Sequence, residues 1–237
     1  MLKYCAALWV LFAFLSSWAR GQIPHNENKW EISVFFGLSA LGEDTFVTPI
    51  EGGTTQMVGL EFESSYLVGA RITENLGQHF GAELEYALAN QPGSFVDLRP
   101  DLPRLDFDHK VHKLAYSILV YPMNRECRLR PFGSIGMGAS FFQISSDGQG
   151  QALDKGVELK DRWKLALSYG GGVKVHIDPG WGVRFDFRDH VTGVPDFGLP
   201  SQAPLLEGNQ TGAGFRPDGN FHNWQISAGF MYSFSIR

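Results

Sequence analysis

The sequence predicts an all-β fold, an eight-stranded antiparallel transmembrane β-barrel, from three observations. Segments of apolar/polar alternation recur along the chain, the connections between them alternate in length, and the polar rows carry charges of both signs. The stretch 163–191 shows the pattern best, as strands over 164–177 and 181–191 joined by the turn Asp178-Pro179-Gly180. In the second of these, Trp181, Val183, Phe185 and Phe187 alternate with Gly182, Arg184, Asp186, Arg188 and His190. Successive side chains of a strand point to opposite faces, so one face is greasy and the other charged. A soluble sandwich turns the greasy face inward. A membrane barrel turns it to lipid and keeps the charges in its lumen.

The remaining strands follow in order. Over 30–38, Trp30, Ile32, Val34, Phe36 and Leu38 oppose Glu31, Ser33, Phe35 and Gly37. A Gly/Thr/Pro-containing connection spans 39–64, although 57–62 has the composition to extend a strand. Strand 66–73 sets Tyr66, Val68, Ala70 and Ile72 against Leu67, Gly69 and Arg71, and the short turn 74–77 leads to strand 79–88. There Phe80, Ala82, Leu84, Tyr86 and Leu88 oppose Gly81, Glu83, Glu85 and Ala87.

The Pro- and Asp-rich segment 90–108 reads as a loop before strand 111–121, where His112, Leu114, Tyr116, Ile118 and Val120 oppose Lys113, Ala115, Ser117 and Leu119. A modest turn leads to strand 131–142, and a polar Gly/Asp/Lys loop spans 145–162. After 191, a Gly- and Pro-rich loop runs to about residue 222, and strand 224–236 closes the chain with the cleanest alternation of all. After the first strand, the connections run long, short, long, short, long, short, long. Outer-membrane barrels place long loops outside, short turns in the periplasm and an even number of strands between them. Trp30, Trp163, Trp181 and Trp224, near strand ends, suit interfacial girdles.

The 237 residues suffice for one closed barrel, and the abundance of Gly (28) and Phe (19) suits such a fold. Residues 1–21 read as a signal peptide: Lys3 supplies the positive start, 6–15 is an apolar run, and cleavage follows Gly21 or Ala19. The barrel domain is then 22–237. Loss of Lys3 and Arg20 changes the formal charge from -5 to about -7, which gives no electrostatic footprint for nucleic acid. Of the two cysteines, Cys5 lies in the signal, so Cys127 has no partner for a disulfide in the mature chain. No later stretch approaches the 18 apolar residues of a membrane helix, so any crossing falls to strands.

The segments "HKLAYSILVYPMN", "RPFGSIGMGASFF" and "YGGGVKVHIDPGWGVRFDFRDH", with the aromatic closing strand, resemble the OmpA-like eight-stranded outer-membrane β-barrel family, the outer membrane protein beta-barrel domain group. The resemblance covers roughly the last half of the chain, and the strand register extends it over nearly all the mature protein. It implies a small barrel in a Gram-negative-type outer membrane, acting as a scaffold, an adhesin or a narrow pore. The partners implied are outer-membrane lipid and lipopolysaccharide, and the outer-membrane assembly machinery. Two features depart from the pattern. The chain ends Phe234-Ser235-Ile236-Arg237 rather than on an aromatic residue, and no peptidoglycan-binding domain follows the barrel.

The candidate site is a lumen charge network of Glu31, Arg71, Glu83, Glu85, Lys113, Lys174, Arg184, Asp186 and Arg188. The ladder of Arg184, Asp186 and Arg188 fits a pore constriction. It fits better as a packed salt-bridge network with Glu83 and Glu85, because eight strands leave an interior just wide enough for side chains.

Other motifs carry less. Gly170-Gly171-Gly172 lacks the Lys-Ser/Thr and helix of a phosphate loop, and reads as relief of crowding or a bend. His109 and His112, three apart on a strand, face opposite sides and share no metal, and Asp189 and His190 likewise diverge. A lipid A deacylase of the His-x-Ser type needs those residues two apart. None of the seven His has Ser at that spacing, and His190 offers only Thr192, so no catalytic residue, metal or cofactor is assigned. Asn209-Gln210-Thr211 is a chance glycosylation match. A soluble lipocalin-like barrel, with the greasy face as its pocket, is the remaining alternative to a membrane barrel or a lipid-modifying enzyme. Recognition, whatever its ligand, falls to the loops.

Overall fold

A computed structural model describes residues 29–206 and 210–235. The signal segment 1–21, Asn209 and Ile236 lie outside these residues.

The described chain forms ten strands and a helix: β1 Trp30–Leu41, β2 Asp44–Pro49, β3 Thr55–Phe62, β4 Ser65–Asn75, β5 Phe80–Arg99, β6 Leu102–Val120, β7 Leu129–Ile144, α1 Ser146–Asp154, β8 Arg162–His176, β9 Trp181–Gly193 and β10 Asn220–Phe234. Eight of the strands pair antiparallel in a ring, β1–β4–β5–β6–β7–β8–β9–β10, and β10 returns to β1 from Trp30↔Phe234 to Leu41↔Asn223. These eight are the predicted strands. The turns 76–79, 121–128 and 177–180 share one end of the ring with Trp30 and Phe234, and every long connection lies at the other end.

The long connections depart from the loops read in the sequence. The first, 39–64, contains the β2–β3 hairpin. The second, 90–108, is no loop: β5 and β6 continue paired to a turn at Pro100-Asp101. β5 pairs with β4 from Gly81 to Ala89 and with β3 from Gly93 to Val96, so the β2–β3 hairpin rides on the protruding part of β5. The third connection contains α1, capped by Ser145, whose Oγ accepts from the Gly148 N–H at 3.0 Å. Residues 194–206 and 210–219 form an irregular strap, as expected, bridged to Ile50 through Ala203.

The side-chain rows of β6 explain this architecture. Its inward row reads Leu105, Phe107, His109, Val111, then Lys113, Ala115, Ser117, Leu119. Its outward row reads Arg104, Asp106, Asp108, Lys110, then His112, Leu114, Tyr116, Ile118, Val120. The alternation never breaks, but its polarity inverts near residue 112. Above that line, apolar side chains pack inward and charges face out, as in a soluble domain. Below it, the wall is inside out: Phe36 is 65% and Met137 73% exposed, while Glu83 is fully buried. Water supports the first arrangement and lipid the second, so the line marks the membrane surface. The greasy face points outward, which removes the lipocalin pocket.

The predicted girdles are present. Trp181 packs on Tyr232 with tilted rings (4.8 Å) at the short-turn end, and Phe141–Trp163 (4.5 Å) and Phe187–Trp224 (5.3 Å) stack at the other. No described helix is long and apolar enough to cross a membrane, which says nothing of strands.

The turn between β8 and β9 is fixed by Asp178, whose Oδ1 accepts from the N–H groups of Gly180 and Trp181, both at 2.7 Å. Asp178→Ala is expected to lower stability by about 1 kcal/mol, with Asp178→Asn retaining most of it. Urea titration in detergent micelles, read by the heat-dependent gel shift, measures both.

Candidate functional site: the charged lumen and the outer head

The nine predicted lumen residues all point inward and are buried, but they form three groups rather than one ladder. Six meet at mid-barrel: Arg71 of β4, Glu83 and Glu85 of β5, and Arg184, Asp186 and Arg188 of β9. Arg184 binds Glu83 through both terminal nitrogens and grips Asp186 through Nε (2.9 Å) and Nη2 (2.8 Å). Arg71 pairs with Glu85, reaches Asp186 at 3.1 Å and donates to Ser227 Oγ at 3.1 Å. Arg188 pairs with Glu83 and sits 3.3 Å from Glu85. Three guanidinium groups thus face three carboxylates. Each pays its desolvation by the attraction of more than one partner, and planar Arg suits such multidentate pairing.

Glu31 and Lys174 form a second group nearer the short-turn end. Lys174 donates to Tyr121 OH at 2.8 Å, and Asn75 Nδ2 donates to Glu31 at 2.8 Å. Arg130 lies 3.4 Å over the Tyr121 ring and bonds Asn75 at 2.8 Å. Lys113 is separate and higher, 3.3 Å from Ser39 Oγ and from Asn223 Oδ1.

Several members were missed from the sequence. Arg130 belongs to the start of β7 rather than to a turn. Thr73, which donates to Glu83 at 2.7 Å, and Tyr121 lie within the predicted strands on the inward parity, and Asn75 is the inward residue added because β4 runs on past 73. Gln225 reaches Glu85 at 3.2 Å, and His190 Nε2 is 3.7 Å from it. Aromatic rings fill the space between the charged groups, with Phe35 3.6 Å from the Arg71 guanidinium and Phe132 4.4 Å from that of Arg184. The triple glycine makes this possible. A Cβ on Gly172 would lie 2.1 Å from the Phe185 carbonyl and 2.8 Å from the Phe132 ring, so the glycines relieve crowding, as read.

His109 and His112 do face opposite sides, and no group of three or more metal-binding side chains exists among the described residues. Asp189 and His190 also diverge. Asp189 accepts from Tyr169 OH (2.7 Å) and pairs with His222 Nδ1 (2.6 Å), whereas His190 and Thr192 are buried in the lumen, away from lipid.

Above the charges, the outer head has its own apolar core. Phe46, Phe62, Phe95, Phe107, Phe142, Phe197, Phe215 and Phe221 close over the barrel mouth. Rings of Phe62, Phe107, Phe142 and Phe197 surround His109 at 5.2 to 6.1 Å, and burial pushes its pKa down to about 3, so it is neutral. Phe197 reaches this core from the strap in a left-handed conformation (φ 47°), followed by Gly198 (φ 82°).

Asp196 holds that turn. Its Oδ1 accepts from the Gly198 N–H at 2.8 Å and pairs with Arg162, and its Oδ2 accepts from Lys164 at 3.2 Å. Burial alone would raise its pKa, but these three partners outweigh it and hold the carboxyl down at about 2. A depressed carboxylate contributes stability that is complete above its ordinary pKa and is lost as pH falls through the depressed one. The Gly198 amide shift is therefore expected to titrate with a midpoint near pH 2 and to stay flat in Asp196→Asn. A midpoint near 4 would contradict the latch.

Inverted polarity on a closed ring of eight strands is the signature of a barrel in lipid. The profile of the outer membrane protein beta-barrel domain family matches residues 6–234. The chain belongs to that family.

Solved barrels share its fold. OprG from Pseudomonas aeruginosa is 17% identical, with a TM-score of 0.59 over 90% of this chain and 98% of its own. AlkL, solved in lipid bilayers, is 15% identical with a TM-score of 0.52 over 90% and 93%. Neisserial surface protein A is 10% identical with a TM-score of 0.51 over 86% and 97%. No curated protein matches. Membership of this outer-membrane barrel family implies an outer-membrane location, and the polarity line places the β2–β3 hairpin, the β5–β6 tip, α1 and the strap beyond one membrane face.

Proposed function

We propose that this family member is a non-conducting, non-enzymatic scaffold that anchors a folded recognition head on the outer face of the membrane. The observation that carries the reading is the double closure of the bore. Three arginines and three carboxylates cross-brace its middle, and an aromatic core covers its outer mouth. A pore lined with charges leaves them solvated for passing ions, whereas these groups are spent on one another. Outer-membrane lipid and lipopolysaccharide are the partners of the wall, the assembly machinery inserts it, and a signal peptide over 1–21 delivers it. The His190–Thr192 pair, shut inside the lumen, supports the non-enzymatic reading.

Efflux from liposomes tests the closure. Barrels refolded into vesicles, with folding confirmed by the gel shift, are expected to retain trapped glucose as well as protein-free vesicles do. Release proportional to the number of folded barrels would establish the narrow-porin reading instead.

A further inference from the structure

β2 is the open end of the ten-stranded sheet and, among the strands of the described residues, pairs with β3 alone. The ladder fixes which of its backbone groups face outward. Ile50 N donates to Thr54 O at 2.8 Å, so Ile50, Thr48, Phe46 and Asp44 turn their groups to β3, and Pro49, Val47 and Thr45 turn theirs away.

This outer edge already accepts a strand at one point. Ala203 N of the strap donates to Pro49 O at 2.8 Å, and Glu51 N donates to Ala203 O at 2.9 Å, a parallel bridge. One step along, the Thr45 N–H is taken by its neighbour Asp44 at 2.8 Å. The Val47 N–H and C=O and the Thr45 C=O face a groove of about 650 Å³, lined also by Asp44, Arg216 and Asp218. The strap forms its far wall, held by the Arg216 N–H bonding Thr48 Oγ1 at 3.1 Å. Side chains along the edge are exposed, Val47 by 56%.

Unpaired edges are templates for strand addition, and proteins usually blunt them with lysine, proline or a bulge. Here the one proline, Pro49, lies at the end of β2 already taken by Ala203. Of the charged residues that line the open part, two are acidic, Asp44 and Asp218, against one basic, Arg216.

We propose that the β2 edge binds an extended, basic peptide segment of a partner protein as an added strand, continuing the bridge that Ala203 begins. Main-chain hydrogen bonds to Val47 and Thr45 supply the binding, and lysine or arginine at alternate positions meets the acidic rim. The proposal rests on the head being the recognition part of the molecule, and its readout is independent of conductance. A barrel that leaks glucose yet binds peptide overturns only the sealed lumen.

The probe is a capped octapeptide of alternating lysine and valine, offered to the full chain in lipid nanodiscs holding one barrel each. Binding is followed by isothermal titration and by hydrogen exchange at the Val47 amide. The peptide is expected to protect that amide. Val47→Pro removes the N–H and is expected to weaken binding about tenfold or more, whereas Val47→Thr keeps it and binds as wild type. A peptide N-methylated at every second residue, and one with glutamate for lysine, are expected to bind more weakly. No binding to the wild type at millimolar peptide overturns the proposal, and so does equal binding to Val47→Pro. In discs holding two barrels, protection of Val47 without peptide would assign the edge to a second copy and overturn it too.

Discussion

Glu83→Ala is expected to destabilise the barrel by about 3–5 kcal/mol, the largest effect of any single truncation in the lumen. Glu83 is fully buried and receives Arg184, Arg188 and Thr73, so its loss strands two guanidinium groups where water cannot replace the partner. Glu83→Gln keeps the shape and two polar atoms, but still leaves the sextet with an excess positive charge. It is expected to fall between wild type and the alanine variant. Reversible urea unfolding in lipid vesicles, followed by tryptophan fluorescence, gives the comparison. Adding Arg184→Met to Glu83→Ala is expected to recover part of the loss, since removing a buried charge together with its partner costs less than breaking the pair. A cost below about 1 kcal/mol for Glu83→Ala would mean that water fills the lumen and solvates these groups.

The second large effect concerns the outer surface of β6. Tyr116→Arg is expected to cost about 2–4 kcal/mol, the penalty for a cation near mid-bilayer on a lipid-facing strand. Asp106→Arg, ten residues earlier on the same outward row, gives up an exposed ion pair with Arg104 (2.8 Å) and is still expected to cost no more than about 1 kcal/mol. Both side chains stand on the outward row of β6, one in lipid and the other in water. Equal, small costs at both positions would refute the inverted wall. The same unfolding assay serves, with reconstitution yield as an independent check on insertion.

These two experiments probe the features that the sequence carried well and badly. All eight ring strands were legible, because within the bilayer the strands share one alternation, apolar out against a mostly polar or small inward row, with Phe35, Leu67, Leu119, Phe132 and Met231 as its large inward exceptions. The charges Arg71, Glu83, Glu85, Arg184, Asp186 and Arg188 were legible as inward for the same reason. Their division from Glu31–Lys174 and from Lys113 was not, since parity assigns a face but not the height set by register between distant strands.

The protruding halves of β5 and β6 were hidden by the change of solvent. In 90–108, Leu105 and Phe107 point inward while Arg104, Asp106 and Asp108 face water, the reverse of the pattern that identified the wall. Pro92, Pro100 and Pro103 added the composition of a loop. Helix α1 gave no signal because Gly148 and Gly150 replace an apolar stripe, and its place is set by tertiary packing of Ala152 in the head core. Val58, Leu60 and Phe62 alternate within the stretch read as a possible strand extension, but Phe46 and Phe197 sit apart in segments read as loops, and nothing in the sequence declared that the five share one core.

Single-channel recording in planar bilayers tests the central claim most directly. Folded wild-type barrels are expected to give no discrete current steps at either polarity in 1 M KCl, because the braced sextet and the aromatic head close the bore in series. Steps that scale with salt and change size in Arg184→Ala would contradict the account, and would make the charge network the selectivity element of a narrow pore.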